Sequence, residues 1–441
     1  MNQTFLTVDL GFGDAGKGSI VDYLTREHTA HTVVRYNGGA QAAHRVVTDE
    51  TPAREHVFAQ FGAGTLAGAA THLSRFMLLD PLAMEQEADH LRALGVADPF
   101  ATLTIDERAL VITPYARAIN RLRELARGAG RHGSCGMGIG ETALDALHHG
   151  ERALFAGDLA NPDRLAAKLA FLRDVALAKL RGFRHELLDA PETARELAPL
   201  LDDDWLDWTI ESYRTFAGLA RTVPAEHLHA LLRRPGCVVF EGAQGVLLDE
   251  WRGFHPYTTW STTTLERADT LLREAGYAGD VRRIGIARAY ATRHGAGPLV
   301  SEDPALSAIL PDARNLTHPW QQHFRVGPLD LVALRYATAA VGRLDSIALT
   351  CLDRLAELPS IALCDSYLCD GERIERLPLN PSREDLVWQG ALTERLAHCQ
   401  PILEKVADEG ELIARVERAL GAPVTITSWG PTAAAKRTMQ A

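Results

Sequence analysis

The sequence predicts an α/β fold: a large, mostly parallel sheet flanked by helices, with a P-loop-like nucleotide site and a helical insertion. Three observations predict it. Short β-branched or aliphatic runs recur along the chain, each followed by Gly, Asp or Ser. Helical patterns separate these runs, as crossover connections in a parallel sheet require. The first run also feeds directly into a glycine cluster that opens a helix.

Residues 4–10 (TFLTVDL) form an apolar run of the kind a buried parallel strand shows. A helix is expected over 19–25, with further buried strands over 32–36, 237–241, 284–290, 347–352 and 424–428. The middle of the chain, from about 106 to 234, is rich in Ala, Leu, Arg and Glu. One helix there is well marked. Asn161 caps it, Pro162 sits in the first turn, Leu165, Leu169 and Leu172 share a face, and Gly182 is the expected stop. This region reads as a helical insertion on the sheet domain. With no internal repeat or low-complexity linker, residues 1–441 read as one domain.

The balance of 46 Lys plus Arg against 57 Asp plus Glu gives a net charge of −11. An acidic chain lacks the basic face that bulk nucleic-acid binding needs, so nucleic acid is not an expected partner. A small anionic ligand in a local site remains compatible. The N-terminus has no basic segment followed by an apolar one, and no run approaches the roughly 18 apolar residues of a membrane span. A cytoplasmic protein is expected, without membrane association. The cysteines at 135, 237, 351, 364, 369 and 399 contain no CxxC pair and read as reduced, mostly buried thiols.

Gly11-Phe12-Gly13-Asp14-Ala15-Gly16-Lys17-Gly18-Ser19 lies between the first strand and the first helix. It satisfies the GxxxxGK part of a P-loop, but Gly18 stands where Ser or Thr would bind magnesium. Glycines let successive N–H groups face a phosphate, the helix N-terminus adds positive potential, and Lys17 supplies a point charge. Asp14 has no place in an ordinary P-loop. A carboxylate among phosphate donors repels a nucleotide unless it binds a metal or accepts a substrate proton. The alternative is a glycine-rich turn with a surface lysine. A second cluster, Asn37-Gly38-Gly39-Ala40-Gln41-Ala42-Ala43-His44, follows the second strand and ends on an imidazole that is more often structural than catalytic when met alone.

Together these fragments resemble the adenylosuccinate synthetase family, whose N-terminus carries G-D-E-G-K-G-K and then G-G-x-N-A-G-H. The resemblance continues at Phe240-Glu241-Gly242-Ala243-Gln244-Gly245, at Leu247-Leu248-Asp249 and at His255-Pro256-Tyr257-Thr258-Thr259. It extends through Thr292-Arg293-His294-Gly295-Ala296-Gly297-Pro298, Thr350-Cys351-Leu352-Asp353 and Ser428-Trp429-Gly430-Pro431.

The resemblance implies GTP as co-substrate, Mg2+, a homodimer, and a two-step reaction. The 6-oxygen of IMP is phosphorylated, then an amine, aspartate in the family, displaces the phosphate. It implies that Asp14 takes the proton from purine N1 and binds the metal, together with the backbone of Ala43. It implies that His44 hydrogen-bonds the oxygen and phosphoryl group, and that Lys17 neutralises developing charge. Gly13, Gly16, Lys17 and Gly18 would cradle GTP, with Asp353, Ser428 and Gly430 around guanine. Ser134, Cys135, Gln244, Thr259, Asn37 and Gln41 would hold the purine nucleotide. Losing the N1 proton makes a vinylogous amide oxygen nucleophilic, and phosphorylation turns a poor leaving group into a good one.

Several positions depart from the family pattern. Ala15 replaces a glutamate, Cys351 a lysine, Cys135 a threonine and Met137 an arginine, while the arginine that reaches the partner subunit's nucleotide falls near His149. Arg293 or His148 could compensate for the lost phosphate cations. The largest departure is the amino-acid loop, Thr317-His318-Pro319-Trp320-Gln321-Gln322-His323-Phe324 followed by Arg325. A dicarboxylate wants guanidinium partners, and of the family's arginine run only Arg325 survives. With His318, Gln322 and His323 in place of the rest, the loop predicts a less acidic amine or a changed nucleoside face. Phages carry a branch with serine at the base position, which Asp14 argues against. Two other readings stand beside the ligase: a non-catalytic nucleotide-binding regulator on the same scaffold, and an ordinary nucleotide-hydrolysing P-loop switch.

Overall fold

The computed structural model describes residues 2–312, 315, 320 and 323–439. Asn2–Asp9 lies in the middle of a ten-stranded sheet. On one side it pairs in parallel with Gly236–Glu241, followed outward by Thr32–Arg35, Ala70–Leu73, Leu103–Asp106 and Arg221–Val223. On the other side run Asp280–Arg288, Ser346–Thr350 and Val424–Ser428, also parallel, and Lys436–Thr438 closes that edge antiparallel.

Successive side chains of a strand point to opposite faces, and the central strands bury both. Phe5, Val33 and Val239 enter one apolar core. Leu6, Val8, Val34, Val238 and Phe240 enter the other. This explains why the strands read as continuous apolar runs. The expected strand over 284–290 is observed as Asp280–Arg288, because its first residues alternate exposed and half-buried and only residues 284–287 are buried throughout. The strand expected to reach 352 stops at Thr350, where Cys351 turns left-handed at φ 60°.

The marked helix forms as Pro162–Phe183, with the Asn161 side chain accepting from the Arg164 N–H and Leu165, Leu169 and Leu172 buried. The region read as a helical insertion is helical for most of its length. It is not purely an insertion, because Arg221–Val223 returns from it to the sheet edge beside Leu103–Asp106. That three-residue strand, two of its residues exposed, is too short and polar to signal itself.

The thiols also differ from expectation. Cys369 and Cys399 form a disulfide, whereas Cys135, Cys237, Cys351 and Cys364 are free. Register explains the pairing. Ile361–Cys369 runs antiparallel to Gln400–Val406 with Leu368 opposite Gln400, which brings residues 30 apart in sequence to a Cα separation of 4.4 Å. No described helix is long and apolar enough to cross a membrane.

Candidate active site at the carboxyl edge of the sheet

In an open parallel sheet, ligands bind beyond the carboxyl ends of the strands. Asp9, Glu241, Arg288, Thr350 and Ser428 stand there at the ends of five strands. Asp9 organises the glycine loop. Its Oδ1 accepts from Gly11 N–H at 2.8 Å, and its Oδ2 accepts from Ala15 N–H at 3.1 Å and from Lys17 Nζ at 2.7 Å. Both partners of the Asp9–Lys17 ion pair are buried. The loop turns through positive φ at Gly13 (93°), Asp14 (59°) and Gly16 (83°). Asp is among the few side chains that tolerate this region. The Asp14 and Ala15 carbonyls are held by Arg288 Nη1 at 3.2 Å and Thr350 Oγ1 at 2.8 Å.

Gly18 acquires a reason that the P-loop comparison lacked. A Cβ there would lie 2.7 Å from the His44 carbonyl carbon and 2.9 Å from the Arg45 oxygen. The helix Lys17–Glu27 can press on the His44–Val47 strand only without a side chain at this point. His44 is buried, and its Nδ1 meets Glu241 Oε1 at 2.5 Å, while Glu241 Oε2 accepts from Ala63 N–H at 2.9 Å. Burial drives the imidazole down to about 4 against the pull of Glu241. Burial would raise Glu241, but the Arg35 guanidinium and the His44 contact hold it below the usual carboxylate range.

Asp14 pairs with a second histidine. Its Oδ2 lies 3.2 Å from His294 Nε2, which also contacts Asn315 Oδ1 at 3.1 Å. Burial alone would raise Asp14; His294, Lys17 and Arg288 more than reverse this and hold it below the ordinary range.

Gln41 and Gln244 are brought together across the Gly38-Gly39 pair. A Cβ on Gly38 would stand 3.5 Å from both Gln244 amide atoms, and one on Gly39 3.0 Å from Gln41 Oε1. Both side-chain amides are buried without hydrogen-bond partners among the described residues. Buried amides of this kind call for a polar ligand. Asn37 differs from expectation. Its amide is spent on Ala243 N–H, Ala243 O and Thr262 O, so it braces the Gln244 turn instead of offering itself. Thr259 is half-buried, its N–H donating to Leu248 O at 2.8 Å. Ala43 is exposed immediately before His44.

The loop carrying Ser134 and Cys135 hangs from the helix Pro114–Arg127. Asn120 donates to Ser134 Oγ and accepts from Gly138 N–H, and Arg121 donates to Gly136 O. Burial pushes the Cys135 thiol up. Met137 packs with Leu78, Ile112 and Ile139, so it fills apolar space. Neither suggested replacement cation serves this loop. Arg293 donates to the carbonyls of Ala296, Pro298 and Tyr257, and His148 is exposed. His149 packs edge-on against Phe171. Arg131, which sequence reasoning missed, sits beside the loop with its buried Nε unpartnered among the described residues.

Around the last loop, Ser428 Oγ donates to Gly430 O, and Lys436 Nζ donates to Gly430 O at 2.9 Å and Thr432 O at 2.8 Å. Asp353 is exposed on the turn Leu352–Glu357. Of the amino-acid loop, His318 and Gln322 lie outside the described residues. His323 is exposed, and its carbonyl accepts from Gly295 N–H. Arg325 bonds Glu302 at 2.7 Å through Nη1 and Gly297 O at 2.7 Å through Nη2, while its buried Nε has no partner among the described residues.

Asp9, Glu241, His294, Arg288 and Lys436 carry much of this geometry and were not singled out from sequence. Asp9 and Glu241 had a usable signal, a carboxylate ending a buried strand just before glycine.

A glycine-rich loop with a buried lysine, an added carboxylate and a carboxylate-held histidine on the carboxyl edge of a parallel sheet define an enzyme of the nucleotide-dependent phosphoryl-transfer kind. The family model described as adenylosuccinate synthetase matches residues 7–436. The chain is 31% identical over 438 residues to the adenylosuccinate synthetase of Desulfovibrio desulfuricans, covering 96% of this chain and 97% of that one. It is 32% identical over 434 residues to that of Chlorobium limicola, covering 95% and 94%. The fold matches the fully ligated adenylosuccinate synthetase of Plasmodium falciparum (TM-score 0.78, 21% identity, 99% of each chain). It also matches the succinoaminodeoxyadenylate synthetase of cyanophage S-2L (TM-score 0.61, 17% identity, 100% of this chain and 96% of that one). The chain belongs to the adenylosuccinate synthetase family and is a GTP-dependent ligase of purine metabolism.

Proposed function

We propose that the protein phosphorylates the 6-oxygen of an IMP-like purine nucleotide with GTP and then joins an amine to that carbon. The observation that carries this reading is the meeting of Asp14, Lys17 and His44 on one sheet edge, with Gly18 pressed against His44. Binding alone needs no base, so this trio argues against a regulator. In this reading Asp14 accepts the N1 proton, and the 6-oxygen then attacks the γ-phosphoryl group beside His44. Incoming phosphoryl charge raises the affinity of the buried imidazole for its proton, while Glu241 keeps the ring in orientation. Gln41 and Gln244 supply hydrogen bonds to the purine nucleotide. Asp353, Ser428 and Gly430 surround guanine.

Mg2+ typically takes one or two carboxylates and completes its shell with phosphates and water. Asp14 and the Ala43 carbonyl would hold it, and its charge would neutralise phosphate oxygens. Both terminal nitrogens of Arg325 being engaged by Glu302 and Gly297 supports an amine less acidic than aspartate. Pairing into a homodimer belongs to the same reading.

Phosphate release from GTP with magnesium, over a grid of IMP, GMP and deoxy forms against aspartate, other amino acids and none, tests it. Release needing a 6-oxopurine nucleotide, with an amine adduct by mass spectrometry, is expected. Tight GTP binding with no release across the grid would favour the regulator. Release needing both IMP and aspartate, with a succinylated product, would overturn the changed-donor part alone.

A further inference from the structure

The imidazole of His294 joins the base to the loop over which the amine arrives. It lies on Ala291–His294, which pairs antiparallel with Phe324–Gly327, and His294 sits opposite Phe324 at the end of the amino-acid loop. Its Nε2 faces two acceptors, Asp14 Oδ2 at 3.2 Å and Asn315 Oδ1 at 3.1 Å. Asn315 is oriented by its own donation to Asp312 at 3.0 Å. That orientation presents the amide oxygen to the imidazole. Two acceptors on one ring nitrogen place an N–H there. Burial would lower the imidazole, Asp14 more than reverses this, and in the neutral form of the ring Nδ1 carries the lone pair. This Nδ1 is buried and has no hydrogen-bond partner among the described residues. A buried acceptor without a donor costs free energy, and an N–H group would satisfy it.

We propose that His294 is a positioning residue with two faces: Nε2–H fixes the carboxylate of Asp14, and Nδ1 accepts a hydrogen bond from an N–H of the amine donor. This rests on the ligase reading above. Holding Oδ2 leaves Oδ1 of Asp14 for the purine edge. An N–H bonded to Nδ1 turns the amine lone pair toward the carbon that bears the phosphate. The contact is a hydrogen bond, with no proton transfer invoked.

Two variants separate the two faces. His294→Gln keeps a donor near the Nε2 position but loses the Nδ1 acceptor, whereas His294→Asn keeps an acceptor near Nδ1 but does not reach Asp14. The first half-reaction is read without amine, as positional isotope exchange in GTP labelled at the β–γ bridge, in the presence of IMP and magnesium. The second is read as the amine KM, with aspartate and hydroxylamine as an acidic and a neutral probe. For His294→Gln, exchange within about threefold of the parent and an amine KM raised tenfold or more for both probes are expected. For His294→Asn, exchange reduced tenfold or more with a nearly unchanged amine KM is expected. An unchanged amine KM in His294→Gln overturns the Nδ1 assignment. Undiminished exchange in His294→Asn overturns the Nε2 assignment. Parent protein without exchange overturns the ligase reading, and this one with it.

Discussion

His44 Nδ1 and Glu241 Oε1 stand 2.5 Å apart, both buried, with the second carboxylate oxygen tied to Ala63 N–H. The carboxylate fixes which ring nitrogen carries the proton and which way the ring faces. Such orientation matters more to a reacting group than to a packing one. Glu241→Gln keeps the size and one acceptor but removes the charge. We expect kcat to fall about 100-fold or more with little change in the KM for GTP. Steady-state phosphate release checks this, and a parallel fall in thermal stability large enough to unfold the protein would contradict it.

Gly18→Ala is expected to be destabilising at a position that a P-loop comparison would call permissive. The new methyl would stand 2.7 Å from the His44 carbonyl carbon, which is backbone and cannot swing aside. Overpacking of this kind costs about 1–3 kcal/mol, and displacing His44 would also lower turnover. Denaturant unfolding together with kinetics measures both effects. Gly18→Ser, designed to restore the usual metal-binding hydroxyl, is expected to fail for the same reason.

Lys17→Met would leave Asp9 buried and unpaired. Breaking a buried pair by removing one partner costs on the order of 3–5 kcal/mol. Adding Asp9→Asn should recover part of the stability, since the charge is gone, without recovering turnover. Unfolding midpoints and phosphate release of the single and double variants decide it. Equal recovery of both would mean that Lys17 acts only through Asp9.

These cases show what the sequence made legible. The glycine loop, the central strands and the Asn161-capped helix carry local signals, and each appears within a few residues of expectation. Asp14, Lys17, His44, Gln41 and Gln244 stand out as candidates because glycine clusters frame them. The Glu241 contact to His44 joins residues 197 apart, and the His294 contact to Asp14 joins the first and third hundreds of the chain. Only the sheet order makes such neighbours, and no local pattern announces them. Asn37 carries the right chemistry, but backbone groups of Ala243 and Thr262 engage its amide.

Lys436 ties the closing loop from below, donating to the carbonyls of Gly430 and Thr432. Burial brings its ammonium down to about 8, with Asp22, Cys351, Asp49 and Asp353 opposing the fall. Lys436→Met would remove a donor from the carbonyls of the half-buried Gly430 and Thr432 and loosen the loop proposed to close over guanine. We expect the KM for GTP to rise about tenfold, the equivalent of about 1.4 kcal/mol, with the KM for IMP unchanged. Equal changes in both would point to general destabilisation.

Asp330 supplies a pH signature away from the site. Its Oδ1 caps the helix Leu331–Val341 through Ala333 N–H at 2.9 Å, and its Oδ2 accepts from Tyr367 OH at 2.6 Å. Burial pushes its carboxyl up to about 6, against the opposing hydrogen bonds of Ala333 and Tyr367. An acid whose folded value lies above its unfolded value of roughly 3.9 binds its proton more tightly when folded. Its contribution is therefore fully present below about pH 4 and is lost as pH rises through 6. The difference between about 6 when folded and roughly 3.9 when unfolded corresponds to roughly 3 kcal/mol. Asp330→Asn keeps the cap and does not ionise. We expect the stability of Asp330→Asn relative to the parent to rise between pH 4 and 6 and to level off above 7. Denaturant unfolding of both proteins across that range measures the difference, and a difference independent of pH would show that Asp330 keeps an ordinary carboxylate value.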